Sequence, residues 1–270
     1  MAMMRVLFVA SLLAGAAAAQ PAAPSGARPP RYVEPAPYDF ATHEGWQMMF
    51  NGQSLRGWVG QMDAWRVENG AIVSSSEGQG AAGNAPVYLF WAGGELKDFE
   101  FKTEIKLEGA GANSGVQFRA QLLGTTDKPG SEWESFGYQA DFDFANTQTG
   151  ALIECCASPR RGPRPRQFRA GMGLALHVAI SDASPAGGMI VGTIAARNEL
   201  ERSIKVGDWN QLHIIARGHT MLYFLNGRLM SLVTDDDPQR FMASGRLAIQ
   251  LEGSGARKVS YRGLWLKTWP

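Results

Sequence analysis

Cysteine is almost absent from this chain of 270 residues: there are two, Cys155 and Cys156, and they are adjacent. Neighbours in sequence cannot staple distant segments, so no disulfide framework holds the fold together. In an oxidising compartment such a pair closes a strained vicinal ring, bonds between chains or stays free, and export out of the reducing cytoplasm favours the ring. Histidine is scarce as well. His43, His177, His213 and His219 stand in no triad-like or ligand-like context, and no Cys or His lies at a usual zinc spacing. There is no glycine-rich phosphate loop and no Gly-x-Ser-x-Gly elbow. A surplus of either charge is missing too: 26 basic residues against 25 acidic ones give a formal net charge of +1, which argues against a non-specific nucleic-acid binder.

Long apolar runs are lacking beyond the first residues. Val6 to Ala19 is apolar or small throughout, is preceded by Arg5 and ends on Ala17-Ala18-Ala19. The run falls short of the ~20 residues a membrane span needs. It reads instead as a cleavable signal peptide over residues 1–19, with Gln20 the first mature residue and a secreted or periplasmic destination. No cysteine follows the run to carry a lipid. Residues 20–40 are rich in Pro and Ala without apolar period and read as a flexible leader. A single domain is expected over 41–270, with no linker dividing it and no internal repeat.

What the chain does have is glycine, 32 residues, and tryptophan, eight. Many glycines mean many turns, and the segments between them alternate. Asn69-Gly70 and Asn226-Gly227 each separate two apolar runs and predict type I′ hairpins. Phe99, Phe101, Thr103 and Ile105 oppose Glu100, Lys102, Glu104 and Lys106, the latter a solvated face. Val116 and Phe118 oppose Gln117 and Arg119. Tyr138, Ala140 and Phe142 oppose Gln139, Asp141 and Asp143. Leu247, Ile249 and Leu251 oppose Ala248, Gln250 and Glu252. No segment keeps a 3.6-residue period for long. The pattern predicts an all-β fold: an antiparallel two-sheet sandwich of the jelly-roll kind.

The polar faces differ. The strands at Gln117, Gln139 and Gln250 present amides, carboxylates and one arginine, with no lysine. Such groups hold fixed hydrogen-bonding geometry and suit sugar hydroxyls, although cross-strand pairs such as Arg119–Asp141 on an ordinary solvated face would have the same composition. If the sugar reading holds, the three strands are neighbours in one sheet.

These residues also carry a resemblance. Phe50-Asn-Gly-Gln-Ser-Leu-Arg-Gly-Trp58, Trp65-x-Val-x-Asn-Gly-Ala-Ile72, Asn113-Ser-Gly-Val-Gln-Phe-Arg119, Gly137-Tyr-Gln-Ala-Asp141, Gly150-Ala-Leu-Ile153, Asp208-Trp-Asn210, Phe224-Leu-Asn-Gly227 and Gly245 to Leu251 follow one another. In that order they resemble the motifs of the 3-keto-disaccharide hydrolase family over about residues 45 to 267. The resemblance implies a concanavalin- or laminin-G-like jelly roll. It also implies cleavage of glycosides whose sugar carries a ketone at C3. The ketone acidifies the C2 proton; a base removes it, the glycosidic oxygen at C1 leaves by elimination, and water adds back. Carried over by position, Asp141 is the base and Arg119 the enolate stabiliser. Asn113, Gln117, Gln139, Asp143, Gln250 and Glu252 would line the substrate groove. Some members use a divalent metal, for which Asp141, Asp143 and Glu252 are the candidate ligands. This chain departs from the family where Glu252 replaces a frequent histidine and Ile153 a common tyrosine.

The implied partner is a carbohydrate substrate, with no nucleic acid and no membrane span. A non-catalytic carbohydrate-binding module is the alternative, since jelly rolls host both. A retaining endo-glycosidase is disfavoured: Gln139-x-Asp141-x-Asp143 occupies the E-x-D-x-E pattern of some jelly-roll glucanases, with an amide where the nucleophile belongs. A purely structural or interaction role is the last reading.

Overall fold

Alternation and turn chemistry decide the architecture. In the computed structural model, which describes residues 40–77, 85–124, 131–155, 168–179 and 188–269, nearly every alternating segment is a strand. The first strands are β1 (Gln47–Met48), β2 (Trp58–Gly60), β3 (Trp65–Glu68), β4 (Ala71–Ser75), β5 (Val87–Trp91) and β6 (Phe99–Glu108). Next come β7 (Ala112–Leu122), β8 (Ser135–Asp143), β9 (Leu152–Cys155), β10 (Arg169–Ala170), β11 (Leu174–Val178) and β12 (Met189–Thr193). After a short helix, α1 (Arg197–Glu201), the chain closes with β13 (Asn210–Arg217), β14 (Thr220–Leu225), β15 (Arg228–Asp235), β16 (Arg246–Gly253) and β17 (Lys258–Thr268). The expectations for residues 1–39 lie outside the described residues. No helix among those described is long and apolar enough to cross a membrane.

The strands form two sheets. One has ten strands in the order β12-β11-β15-β14-β13-β6-β17-β4-β3, with β1 also paired to β17; the other has seven, in the order β10-β9-β8-β7-β16-β5-β2. Pairing is antiparallel except between β11 and β15, which run parallel. Both hairpins form as the turn residues dictate: Asn69 and Gly70 have φ of 51° and 75°, Asn226 and Gly227 49° and 76°, the left-handed values a type I′ turn requires.

The core lies between the sheets. Phe101, Ile105, Leu212, Ile214, Tyr223 and Tyr261 of one sheet face Val116, Phe118, Tyr138, Phe142, Ile249 and Leu251 of the other, all essentially buried. Each of these strands therefore has an inner and an outer face, as its period of two demands.

The outer face of β6 is not the solvated stripe that Glu100, Lys102, Glu104 and Lys106 suggest. Lys102 is fully buried. Its ammonium donates to the carbonyl of Phe40 at 2.9 Å and to that of Thr42, and sits 4.3 Å from the centre of the Trp46 ring. A charge out of water needs such acceptors and a π face. Lys102 thus fastens the segment entering β1 onto the sheet. Lys102→Ala is expected to cost about 2 kcal/mol, in the range of hydrogen bonds to charged groups. The thermal midpoint should fall by roughly 4–8 °C; an unchanged midpoint in a calorimetric scan would refute the role.

Candidate active site

The lysine-free strands do meet. β8, β7 and β16 are consecutive in the seven-stranded sheet, with β5 beside β16. Register then sets the outer face in rows. One row reads Asp141–Gly115–Gln250–Tyr88, from the pairs Gly115↔Asp141, Gly115↔Gln250 and Gln250↔Tyr88. A second reads Arg169–Ile153–Gln139–Gln117–Ala248–Phe90. A third reads Asp143–Asn113–Glu252.

Gly115 is the notch in the first row. With no side chain there, Gln139 leans across it. A Cβ on Gly115 would lie 2.8 Å from the Ala140 carbonyl oxygen and 3.0 Å from both Cγ and Nε2 of Gln139. From that position Gln139 Nε2 donates to Asp141 Oδ1 at 2.7 Å and to Gln250 Oε1 at 3.0 Å. Gln250 Nε2 in turn donates to Tyr88 OH at 3.1 Å and to Glu252 Oε2 at 2.9 Å. The two amides spend all four of their hydrogens within the cluster and fix its geometry.

Asp141 is left in an uncommon state. It is 2 % exposed, and its second oxygen, Oδ2, is buried without a hydrogen-bond partner. Burial is the main cause that pushes its pKa up to about 7. The Gln139 amide and Arg169 pull it down, and the charges of Glu252 and Asp143 push it further up. Burial likewise raises Glu252, against the Gln250 hydrogen bond. Asn113 Oδ1 is a second buried acceptor without a partner. Each of these two oxygens can accept a hydrogen bond that the protein does not supply.

The opposite sheet braces this row from behind. The Tyr223 hydroxyl of β14 crosses the core to donate to the Asp141 carbonyl at 3.0 Å. The Tyr261 hydroxyl of β17 is 3.1 Å from the Gly115 carbonyl and 2.7 Å from Ser114 Oγ, which also bonds the Gln250 carbonyl. The backbone of all three central strands is thereby tied at the level of Asp141.

Three expected site residues are elsewhere or occupied. Arg119 does not join the cluster. β7 carries a bulge: Arg246 pairs with Ala120 but Ala248 with Gln117, so three residues of β7 span two of β16. At the bulge Arg119 takes φ 48°, and Ala120 returns to the outer face, packed with Tyr88, Phe90 and Ala248. The extra residue breaks the alternation. The guanidinium instead donates to the Lys97 carbonyl at 2.8 and 3.0 Å and to the Met242 carbonyl at 3.3 Å, and pairs with Asp98 at 3.4 Å. The bulge is seated against Gly245, where a Cβ would fall 2.3 Å from the Arg119 carbonyl carbon. Arg119 is a buried structural tie.

Asp143 faces outward as expected, but its oxygens are filled. They accept from the backbone N–H of Thr147, Gln148 and Thr149 at 2.7–3.0 Å and from the hydroxyls of Thr147 and Thr149. Burial alone would raise its pKa; these bonds outweigh it and hold the carboxyl below its usual range. Asp143 closes the turn after β8. Gln117 is fully buried, accepting from Ser135 Oγ and donating to the Cys155 carbonyl at 3.3 Å, and it anchors β9. Cys155 is disulfide-bonded, and Cys156 lies outside the described residues.

The same saturation bears on a metal. A hard divalent cation takes six or more oxygen ligands. Of Asp141, Asp143 and Glu252, the middle one has no lone pair to offer. Among the described residues no group of three His, Cys, Asp or Glu side chains is arranged to hold an ion. This donor set does not fit the cation.

Sequence reasoning missed Arg169 and Tyr88. Arg169 begins the edge strand β10, is the cation that acts on Asp141, and donates to Thr147 O and Gln148 Oε1. Tyr88 lies in an all-apolar run, Val87-Tyr-Leu-Phe-Trp91, which gives no polar-face signal. Only the register beside Gln250 reveals it.

Comparison with known proteins bears on the family and the fold. A family model described as a 3-keto-alpha-glucoside-1,2-lyase-like domain matches residues 45–267. No curated protein matches by sequence. Among solved structures, a protein of Parabacteroides distasonis described as a candidate glycosyl hydrolase superposes with a TM-score of 0.50 at 18 % identity, covering 84 % of this chain and 95 % of its own. The carbohydrate-binding module CBM66 of Bacillus subtilis gives 0.45 at 14 %, covering 82 % and 100 %. A legume lectin-like domain of Entamoeba histolytica gives 0.44 at 12 %, covering 84 % and 91 %. At these identities the first of the three speaks to the fold alone.

Proposed function

The chain belongs to the 3-keto-alpha-glucoside-1,2-lyase-like family, which makes its function carbohydrate-related, and on that premise we propose that it is an exported enzyme cleaving 3-keto-glycosides by abstraction of the C2 proton. The observation that carries the reading is Asp141 Oδ2, a buried carboxylate oxygen without a partner. A general base works best with a pKa near the operating pH, and Asp141 is raised to about 7. Gln139 holds Oδ1, so Oδ2 is the atom that takes the proton. The C2–H electron pair moves into the C2–C3 bond and the C3 carbonyl becomes an enolate. When the enolate collapses, a C1–C2 double bond forms and the C1–O bond breaks. The departing oxygen takes a proton from Glu252, whose raised pKa keeps it protonated to higher pH than an ordinary glutamate. Addition of water at C1 and return of the proton to C2 complete the hydrolysis. Asn113 Oδ1 is free to accept a sugar hydroxyl.

The test is turnover of 3-keto-trehalose or a 3-keto-glucoside beside the unoxidised parent sugar. Only the ketone should react. kcat/KM should rise with pH through about 7, as Asp141 loses its proton. Deuterium at C2 should slow the reaction, and chelator should leave it intact. Glycan binding with no turnover of the ketone would make the chain a carbohydrate-binding module instead.

A further inference from the structure

An enolate needs a hydrogen-bond donor at O3, and with Arg119 tied into the bulge the site has lost the donor that the sequence suggested. We propose that Tyr88 fills this place: its phenol O–H is the donor that holds the C3 oxygen while Asp141 takes the C2 proton. The assignment rests on the elimination reading of the site.

Four observations point to Tyr88. It ends the row Asp141–Gly115–Gln250–Tyr88 on the outer face and is 4 % exposed. Its oxygen accepts from Gln250 Nε2 at 3.1 Å, which leaves the phenol proton without an acceptor among the described residues. Of the other donors nearby, the amide hydrogens of Gln139 and Gln250 are committed within the cluster, and the Arg169 guanidinium is turned toward Thr147 O and Gln148 Oε1 on the exposed edge strand β10, at the far end of the sheet from Tyr88. The Asn113 amide also remains, but that residue is half-buried, and an amide is a weaker acid than a phenol. Finally, the Tyr88 backbone is clamped: its N–H donates to Gln61 Oε1 at 2.8 Å, and its carbonyl accepts from the Gln61 N–H at 3.1 Å. A donor that need not reorganise is what transition-state stabilisation requires. Burial, and next the charge of Glu252, push the phenol well above its ordinary pKa, so it stays protonated beside two carboxyl groups.

In the step itself the C2–H bond breaks and its proton goes to Asp141 Oδ2. The electron pair forms the C2–C3 double bond and the carbonyl pair moves onto O3. Tyr88 keeps its proton and shares it with O3 as negative charge develops.

Enolisation can be measured without cleavage. A 3-keto-1,5-anhydroglucitol has no glycosidic oxygen at C1 but exchanges its C2 proton in D2O if the site enolises it. Wild type should exchange it, and Tyr88→Phe should slow both this exchange and turnover of a 3-keto-glucoside by about 100-fold, the lower range for loss of one oxyanion donor. KM should change little, and the loss should be equal for good and poor leaving groups. A 3-fluorotyrosine at position 88, nearly isosteric and a stronger acid, should speed exchange several-fold; a merely structural phenol would leave it unmoved. Wild-type exchange in both variants overturns the role of Tyr88 while leaving the elimination reading in place. So does a loss confined to Arg169→Gln or Asn113→Leu, or one rescued by a good leaving group. A wild type that neither exchanges nor cleaves removes both readings.

Discussion

Asp141→Asn should reduce turnover of a 3-keto-glycoside at least ~100-fold, the lower range for a lost general base, and should at the same time make the protein more stable at neutral pH. The two effects share a cause. In the unfolded chain the carboxyl ionises near its ordinary value of 3.8; in the fold it holds its proton to about 7. Its stabilising contribution is full below 3.8. Between 3.8 and 7 the unfolded state gives up the proton and the folded state keeps it, so stability falls as pH rises, until the folded carboxyl ionises too. Asparagine removes this dependence, keeps an oxygen for Gln139 Nε2, and should leave ligand binding nearly unchanged. The mutant and wild type should therefore differ little near pH 4 and diverge to on the order of 3–5 kcal/mol by pH 8. Denaturant melts across that range read the divergence. A constant gap would mean that Asp141 is not held protonated by the fold, and normal turnover would make it a binding residue.

Gly115→Ala should be nearly as damaging, by a different route. The new methyl would occupy the space through which Gln139 reaches Asp141 and Gln250. Either β7 and β8 part or Gln139 withdraws. Overpacking of this kind costs about 1–3 kcal/mol. Withdrawal of Gln139 would free Asp141 Oδ1 and unlink Gln250, and turnover should drop by about 10–100-fold, in line with small misplacements at a reacting centre. Gln139 lowers the Asp141 pKa, so its loss should carry the acid limb of the pH–rate profile to higher pH. Gly137→Ala is the control. It meets Ala120 Cα at 2.8 Å and the Phe118 carbonyl oxygen at 2.9 Å, a comparable clash away from Asp141. It should cost similar stability with turnover close to wild type. Equal losses of activity in the two variants would reduce Gly115 to a packing residue.

Much of this arrangement is legible in the sequence because a strand has only two faces. Tyr138, Ala140 and Phe142 against Gln139, Asp141 and Asp143 fix which way β8 points, and the same logic sets β16. The two Asn-Gly turns set their hairpins. The failures share a different character. Arg119 is misplaced because a one-residue bulge, invisible in the alternation, turns it off the outer face. Asp143 looks like a ligand residue because composition does not tell a carboxylate facing solvent from one closing a turn five residues long. Lys102 looks solvated because the segment covering it lies some 60 positions away. Tyr88 gives no signal because its strand is apolar on both sides. The misses at Arg119, Lys102 and Tyr88 turn on long-range contact or register, and that at Asp143 on a local turn, none of which the alternation carries.

The tyrosine braces have a consequence for how such a site can change over time. A phenol is a rod of fixed length, and Tyr223 and Tyr261 span the interior from one sheet to carbonyls of the other. They act as gauges of sandwich thickness. A substitution that swells or thins the layer between the sheets bears on the strand carrying Asp141, even if it lies far from that residue. The ten-stranded sheet, which puts no side chain on the face that carries Asp141, therefore helps to set where that carboxyl sits. The surroundings of Asp141 can thus be altered through the depth of the sandwich, with every residue on its own face left as it is.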